Sequence, residues 1–401
     1  MLDRLTIERL EVASGGGSIV VALSGGGDSL ALLHLLKDAL CAARLHAVVI
    51  DHALRAGSAD DARAAHGFAL SAGVEAEIVT LDWPAGPSRA QSAARDARYA
   101  ALCERTRTLG ARAIAVGHTR DDQAETVLLR AERSSGWRGL AGMAPFAPAP
   151  IWPEGRGLWL ARPSLALRRE ALRAYLRERG ARWIEDPANA NPDFARVRAR
   201  QTLAELGQAG LDPMRLAALA ERIAPHARAL DDAALAMIQT AAAFEDDAIT
   251  LDRASWRGSV PVLERALSVL LAAAGGAVRA VALDAHSAEL KQDKAFTLGG
   301  ALVRPSRSGV RISRDPGALT GRAGGVLPPP PLALAPGIEA VWDNRLALTA
   351  TEPGWSLVTE NGTPQLARGA DRRRLPQAPH AWLLKGRVQH LLGRIGDAKI
   401  A

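Results

Sequence analysis

The sequence is poor in cysteine and has no long apolar run, and each shortage excludes a class of protein. Its two cysteines, Cys41 and Cys103, form no CxxC pair, so neither a disulfide framework nor a thiolate site for zinc or an iron–sulfur cluster is indicated. Both lie in apolar, helix-like contexts and read as buried thiols. No segment approaches the uninterrupted length of a membrane span. Residues 1–12 mix acids and bases on an amphipathic pattern and lack the apolar centre of a secretory signal, so a cytoplasmic location without membrane attachment is expected. No internal repeat is present.

At 401 residues the chain exceeds one core of ordinary size, which predicts two or three domains. Apolar residues make up 48% and charged residues 23%, values of a folded globular chain and not of a disordered one. The formal charge is +7, carried mostly by arginine, whose planar fork suits bidentate contact with phosphate. A polyanionic partner fits that charge. An arginine- and alanine-rich composition also follows from genomic base bias, so charge alone leaves nucleic-acid binding open.

The first half alternates short apolar runs with longer helical patterns. Residues 19–23, 45–51, 74–80 and 113–117 read as strands, with 158–161 a fifth. The runs are continuously apolar instead of alternating, which predicts burial on both faces, as in a parallel sheet covered by helices. The stretches 29–40, 58–72, 88–109 and 121–133 have helix-forming composition and the length of right-handed crossovers. Together they predict an α/β domain with a doubly wound, mostly parallel sheet over residues 1–210. A Pro-rich surface segment at 145–153 interrupts it without ending it, since the fifth strand and a helix at 168–179 follow. From about Leu211 the chain is Ala-rich and helical to roughly His286, then strand-like at 297–303 and 309–314, with turn signals at Gly299-Gly300 and 306–309. This predicts a mainly helical second domain, 211–320, with a small β element. Pro328 to Pro331 reads as a stiff linker to a last module, 332–401, holding Val341-Trp342-Asp343 and the basic cluster Arg372, Arg373 and Arg374.

The sharpest local signal is Ser24-Gly25-Gly26-Gly27-Asp28-Ser29, set between the strand at 19–23 and an apolar helix from Leu30. Glycines let the backbone turn tightly and bring its N–H groups against an anion, and the helix start adds unpaired donors and a positive dipole end. No lysine follows the glycines, so this is not a Walker A loop, and the spacing does not match G-x-G-x-x-G. The competing reading is an ordinary Gly-rich turn. The nearby run 14–18 precedes the strand and reads as a flexible lead-in.

Asp51-His52-Ala53-Leu54-Arg55 ends the second strand, where open α/β sheets place ligands. Residues 117–126 follow the fourth. A helix beginning near Thr119 would bring His118, Asp122 and Glu125 to one face at i, i+4 and i+7. Asp121 and Asp122 equally suit a helix N-terminus as acids that complement the dipole, and Thr119 with Asp122 suits a capping box.

The glycine loop resembles the SGGxDS loop of the PP-loop ATP pyrophosphatases, which cleave ATP between its α and β phosphates. In that family the loop holds pyrophosphate and its Asp, here Asp28, is associated with magnesium; a carboxylate beside phosphates repels them unless a divalent cation lies between. The resemblance narrows with Asp51 to Arg55, with Gly117 to Thr126, and with Arg133-Ser134-Ser135-Gly136 followed by Gly139-Leu140-Ala141-Gly142-Met143. It narrows again with Glu185-Asp186-Pro187 through Asn189 to Arg196. These are similar to successive signatures of the tRNA(Ile)-lysidine synthetase family, over residues 18 to about 205. The resemblance implies a ligase that uses ATP, Mg2+ and free L-lysine to turn the wobble cytidine of the CAU-anticodon tRNA(Ile) into lysidine, by way of an adenylate on the C2 oxygen.

Carried over by motif position, Ser24, Gly25, Gly26, Gly27, Asp28 and Ser29, with Asp51, His52 and Arg55, line the nucleotide site. Asp28 and Asp122 serve the metal, His118 and Glu125 bind or act on nucleotide and lysine, and Arg196 contacts substrate or intermediate. Either His118 or Glu125 accepts the proton that leaves the lysine amine. Two positions depart from the family: Ser134 stands where Gly is usual, and Val197 where Asn usually follows the Arg.

Other readings carry different requirements. A sulfur-transferring PP-loop enzyme acting on tRNA needs reactive or cluster-binding cysteines, and this chain offers no suitable pair. An amide-forming PP-loop synthetase acting on a small metabolite, and a nucleotide-gated RNA-binding protein without catalysis, share the ATP half alone. For tRNA docking, Arg168, Arg169, Arg173 and Arg177 form one candidate surface, equally readable as a solvated helix face, and Arg372 to Arg374 form another. A homodimer is compatible with the sequence but not specified by it.

Overall fold

A computed structural model describes the chain except for residues 84–90, 186–190, 246, 284–288, 291, 322–327, 361, 376–380 and 396–401. It divides into two compact units, Met1–Ala227 and Arg228–Ala401.

The first unit runs α1 (Arg4–Ser14), β1 (Ile19–Ala22), α2 (Gly27–Ala39), β2 (Leu45–Asp51), α3 (Ser58–Ser71), β3 (Glu75–Thr80), α4 (Gln91–Thr108), β4 (Ala113–Val116) and α5 (Arg120–Glu132). It continues with β5 (Phe146–Pro148), β6 (Trp159–Ala161), α6 (Arg169–Glu178), α7 (Ala195–Gln208) and the start of α8 (Met214–Ala241). Its six strands lie in the order β3-β2-β1-β4-β6-β5, all parallel except β5. The side-chain alternation of a strand explains the unbroken apolar runs. Ile19, Val21, Ala113 and Ala115 pack under Leu30 and Leu33 of α2, Ala65 and Ala69 of α3, and Leu172 and Leu176 of α6. Val20, Val48, Ile114 and Val116 meet Tyr99, Leu102 and Cys103 of α4 on the opposite face. Each fully buried branched side chain contributes roughly 1.5–3 kcal/mol, so a central strand with two covered faces must be apolar throughout.

Four expectations are corrected. β3 is an edge strand with no buried residue, and it tolerates Glu77, which takes a two-pronged contact from Arg105 at 2.8 and 2.5 Å. The Pro-rich segment 145–153 is not mere surface loop: Phe146–Pro148 forms the antiparallel edge strand, with Phe146 stacked 4.7 Å from Trp159, an edge position that tolerates proline. Cys41 is exposed, because it precedes a short 3-10 turn (Ala42–Arg44) instead of lying inside α2, whereas Cys103 is buried. The fourth correction belongs to the second unit. The expected helix at 88–109 begins in residues outside the description, and α4 carries the rest of it.

In the second unit a five-stranded antiparallel sheet has the order β7 (Ala242–Phe244), β8 (Ala248–Asp252), β11 (Gly309–Arg314), β10 (Ala301–Pro305), β9 (Phe296–Leu298). β7 and β8 fall inside the stretch expected to be helical to His286, which itself lies outside the described residues. The run Ile249-Thr250-Leu251 is β-branched and alternates in burial, and it wins locally over the alanines around it. α9 (Val260–Gly275) packs Leu267, Leu270 and Leu271 on this sheet. After β11 come α10 (Pro316–Thr320), β12 (Leu332–Ala333), the hairpin β13 (Glu339–Trp342) and β14 (Leu346–Thr349), and the strands β15 (Ser356–Glu360), β16 (Thr363–Arg368) and β17 (Asp371–Arg374). These enclose Trp342, Trp355 and Leu357. The last helix, α11 (Ala381–Leu391), returns Leu384 and Val388 to the core under α9. No described helix is long and apolar enough to cross a membrane.

Candidate active site

The strand order reverses between β1 and β4, and the segments that follow β1, β2 and β4 all leave the same edge of the sheet. Open α/β sheets form their ligand crevice at such a point. Ala22 stands beside both Val48 and Val116, so residues 24–29 emerge between the other two segments.

Gly25 has φ +79°, and a Cβ there would lie 2.5 Å from Ile184 Cδ1 and 2.9 Å from Ala65 Cβ, so the turn admits only glycine. The Ile184 N–H donates to Gly25 O at 2.9 Å and pins the loop from outside. Ser29 Oγ donates to Gly26 O at 3.0 Å and accepts the Ser24 N–H at 3.1 Å, which closes the turn on itself. Gly26 caps α2 without a side-chain bond, leaving the first N–H groups of the helix for an anion. Packing makes no comparable demand at Gly27, whose Cβ would rest 3.5 Å from the Trp183 ring, an ordinary contact. At Gly117 a Cβ would meet the backbone of Asp28 and Ser29 at 2.9 Å, so glycine there lets the end of β4 lie against the loop.

Three carboxylates converge beside this loop on one guanidinium. Arg169 donates from Nε to Asp28 Oδ2 at 3.0 Å, from Nη2 to Asp122 Oδ1 at 2.9 Å and from Nη1 to Glu125 Oε1 at 3.4 Å. Arg200 Nε donates to the same Glu125 oxygen at 2.7 Å. Asp122 also performs the capping that its position allows: Oδ2 accepts from Thr119 N and Thr119 Oγ1, each at 2.8 Å, and Thr119 Oγ1 accepts the Asp122 N–H at 3.2 Å. Its two oxygens thus divide between helix and site. Asp121 accepts the Arg169 N–H at 2.8 Å and so caps α6 from another helix. Asp28 Oδ1 and Glu125 Oε2 are buried without hydrogen-bond partners among the described residues. Burial raises the Asp28 carboxyl above its usual range despite the Arg169 charge.

His118 precedes α5 and faces a different environment. Burial, reinforced by Arg162, Arg196, Arg98 and Arg95, holds its imidazole well below the ordinary histidine range, so it is neutral at pH 7. Its Nδ1 has no partner among the described residues. Arg196, on α7, is half-buried and belongs to this basic group. At the end of β2, Asp51 Oδ1 accepts the Ala53 N–H at 2.9 Å, stabilising Ala53 at φ +49°. The His52 carbonyl accepts from Trp83 Nε1 at 2.6 Å, and Arg55 pairs with Asp61 in the first turn of α3. The residues of this segment thus have local structural bonds, whereas Asp28, Asp122 and Glu125 share one partner.

Residues 4–206 match the PP-loop domain family. A tRNA(Ile)-lysidine synthase from Hyphomonas neptunium is 38% identical over 309 residues, which cover 75% of this chain and 82% of that protein. The chain belongs to the tRNA(Ile)-lysidine synthase family. The synthase from Rhizobium meliloti is 32% identical over 360 residues, covering 85% of this chain and 75% of that one. Among solved structures, a U34-tRNA thiolase from Methanococcus maripaludis with its 4Fe-4S cluster covers 56% of this chain and 80% of its own at a TM-score of 0.44 and 17% identity, too distant to bear on the chemistry.

The two positions expected to depart from the family pattern have the following surroundings. Ser134 sits at φ +51°, where α5 ends with the Ser135 N–H donating to Arg130 O at 3.0 Å and the Ser134 N–H to Ala131 O at 2.9 Å. This is a Schellman ending whose left-handed position glycine occupies at least cost. Val197 is buried on α7. The motif reading missed Arg169, Arg200 and the pair Trp183 and Ile184 over the loop. Arg169, expected on a docking surface, instead turns its side chain to Asp28, Asp122 and Glu125. Of its neighbours, Arg173 pairs with Glu185, and Arg177 with Glu170.

Proposed function

We propose that this ATP-using lysidine synthase works through the crevice between β1 and β4, with the roles that follow. The convergence of Asp28, Asp122 and Glu125 beside the glycine loop carries the reading. The wobble cytidine of a CAU-anticodon tRNA(Ile) offers its C2 oxygen to the α-phosphorus of ATP; the bond to pyrophosphate breaks, and the loop from Gly25 to Ser29 receives the leaving group on its N–H donors. The ε-amine of L-lysine then attacks C2, AMP departs, and one proton is lost from the nitrogen.

Magnesium fits the residues present. Asp28 keeps a buried oxygen without a partner among the described residues, and Asp122 stands across the same guanidinium. Two carboxylates suit an ion that takes one or two of them and completes its shell with phosphates. Bound there, the ion would neutralise charge on the phosphates. Asp28 and Asp122 are its proposed holders.

Glu125 is the proposed partner of the lysine amine. A free amine with a reference pKa near 10.4 is protonated at pH 7, and releasing its lone pair costs about 4–5 kcal/mol. A buried carboxylate oxygen without a partner both orients the ammonium and accepts its proton. His118 lies among Arg162, Arg196, Arg98 and Arg95, and we assign it, with Arg196, to holding nucleotide or intermediate. Ser24, Asp51, His52 and Arg55 border the nucleotide. The helical and β-rich region 211–320 and the module 332–401 dock the tRNA, in a cytoplasmic setting.

ATP–pyrophosphate exchange in the absence of lysine tests the first half. The exchange is expected to depend on CAU-anticodon tRNA(Ile) and to persist without lysine. Exchange independent of tRNA would assign the site to a small-molecule substrate instead.

A further inference from the structure

Arg169 is held in place on two levels. Its backbone N–H is fixed by Asp121 at 2.8 Å, and the preceding turn is fixed by the Arg120 N–H donating to Leu167 O at 2.8 Å. From that anchor, its three guanidinium nitrogens each address a different carboxylate, on two helices that start 93 residues apart in the chain, at Gly27 and Arg120. Three like-charged groups that close repel one another unless a cation lies between them. Arg200 serves only Glu125, and with a side chain about a third exposed. Arg169 alone among the described cations contacts all three acids.

We propose that Arg169 is the resident counter-cation of this acidic cluster, assembling Asp28, Asp122 and Glu125 before a divalent metal arrives and releasing Asp28 when the metal binds. The proposal rests on the assignment of Asp28 to magnesium. A guanidinium on Oδ2 and a dication on Oδ1 of the same Asp28 carboxylate repel one another at close range, so the arginine opposes metal binding while it keeps the ligands in place.

The test is titration of the nucleotide-free, full-length protein with Mn2+, reading free metal by its paramagnetic resonance. Arg169→Gln is expected to bind Mn2+ about tenfold or more tightly than the unmutated protein, Arg169→Lys to stay within a few-fold of it, and Asp28→Asn to bind far more weakly. A merely structural arginine predicts the opposite sign, since its loss would scatter the ligands. Arg169→Gln binding no tighter, with Asp28→Asn still weak, overturns the counter-cation proposal alone. Asp28→Asn binding as well as the unmutated protein overturns the metal assignment beneath it. Should Arg169→Gln fail to fold, the 15N Nε–H resonance of Arg169 in the unmutated protein, assigned by its loss in Arg169→Lys, is expected to shift on addition of Mg2+. An unmoved resonance at saturating metal contradicts release.

Discussion

Asp28 and Glu125 each keep a buried oxygen with no hydrogen-bond partner among the described residues. Asp28→Ala and Glu125→Ala are each expected to lower turnover on the order of 100-fold or more, the scale for losing one preorganised electrostatic partner; near-normal steady-state turnover in either would remove it from the mechanism. The glycines separate folding from function more sharply. Gly25→Ala should destabilise the protein by about 2 kcal/mol or more, because the residue has φ +79° and its new methyl would meet Ile184 and Ala65. Gly27→Ala should unfold at the same urea concentration as the unmutated protein yet lose activity, since only a bound phosphate would notice that methyl. Equal loss of stability in both would mean that the loop is shaped by packing and not for a ligand. The acids and glycines were legible because motif order and helical spacing put them in one place. Arg169 and Arg200 were not: they reach Asp28 and Glu125 across 141 and 75 residues, and no periodicity marks such a pairing.

At the scale of elements, the parallel sheet was readable because its central strands are buried on both faces and so carry unbroken apolar runs. The edges obey other rules. β3 and β5 each have an open side: β3 was legible as a strand but its glutamates mark an edge and not a covered position, whereas the proline in β5 hid that strand altogether. β7 and β8 were hidden by surrounding alanines of helical composition. One local flaw is open to measurement. Ser134 occupies the left-handed residue of the Schellman ending of α5, where a side chain costs roughly 1–2 kcal/mol, less the greater freedom that glycine loses on folding. Ser134→Gly is therefore expected to raise stability by up to about 1 kcal/mol, seen as a higher urea midpoint. A lower midpoint would show that the serine hydroxyl outweighs the backbone strain.

Taken as a whole, the molecule carries +7, and charge alone did not decide its partner. The structure qualifies the basic cluster on β17: Arg372 and Arg373 pair with Glu360 and Asp371, and Arg373 and Arg368 flank Trp355 at 4.6 Å. All four residues of β17 are exposed. Reversing Arg372, Arg373 and Arg374 to glutamate together should weaken tRNA binding and flatten its dependence on salt, by a slope of roughly 1–3 if one to three phosphates are contacted. Unchanged affinity would place the tRNA elsewhere. Burial pushes the Cys103 thiol up to about 12, which leaves it protonated and makes it no candidate for sulfur transfer.

The central claim is that one crevice joins ATP, a tRNA base and lysine. It is tested most directly by incubating the purified protein with ATP, Mg2+, radiolabelled lysine and tRNA(Ile) transcripts that differ at one anticodon base. The account predicts ATP-dependent label transfer to the CAU transcript alone, with AMP and pyrophosphate released. Label on every transcript, or on none while ATP is still cleaved, would contradict it.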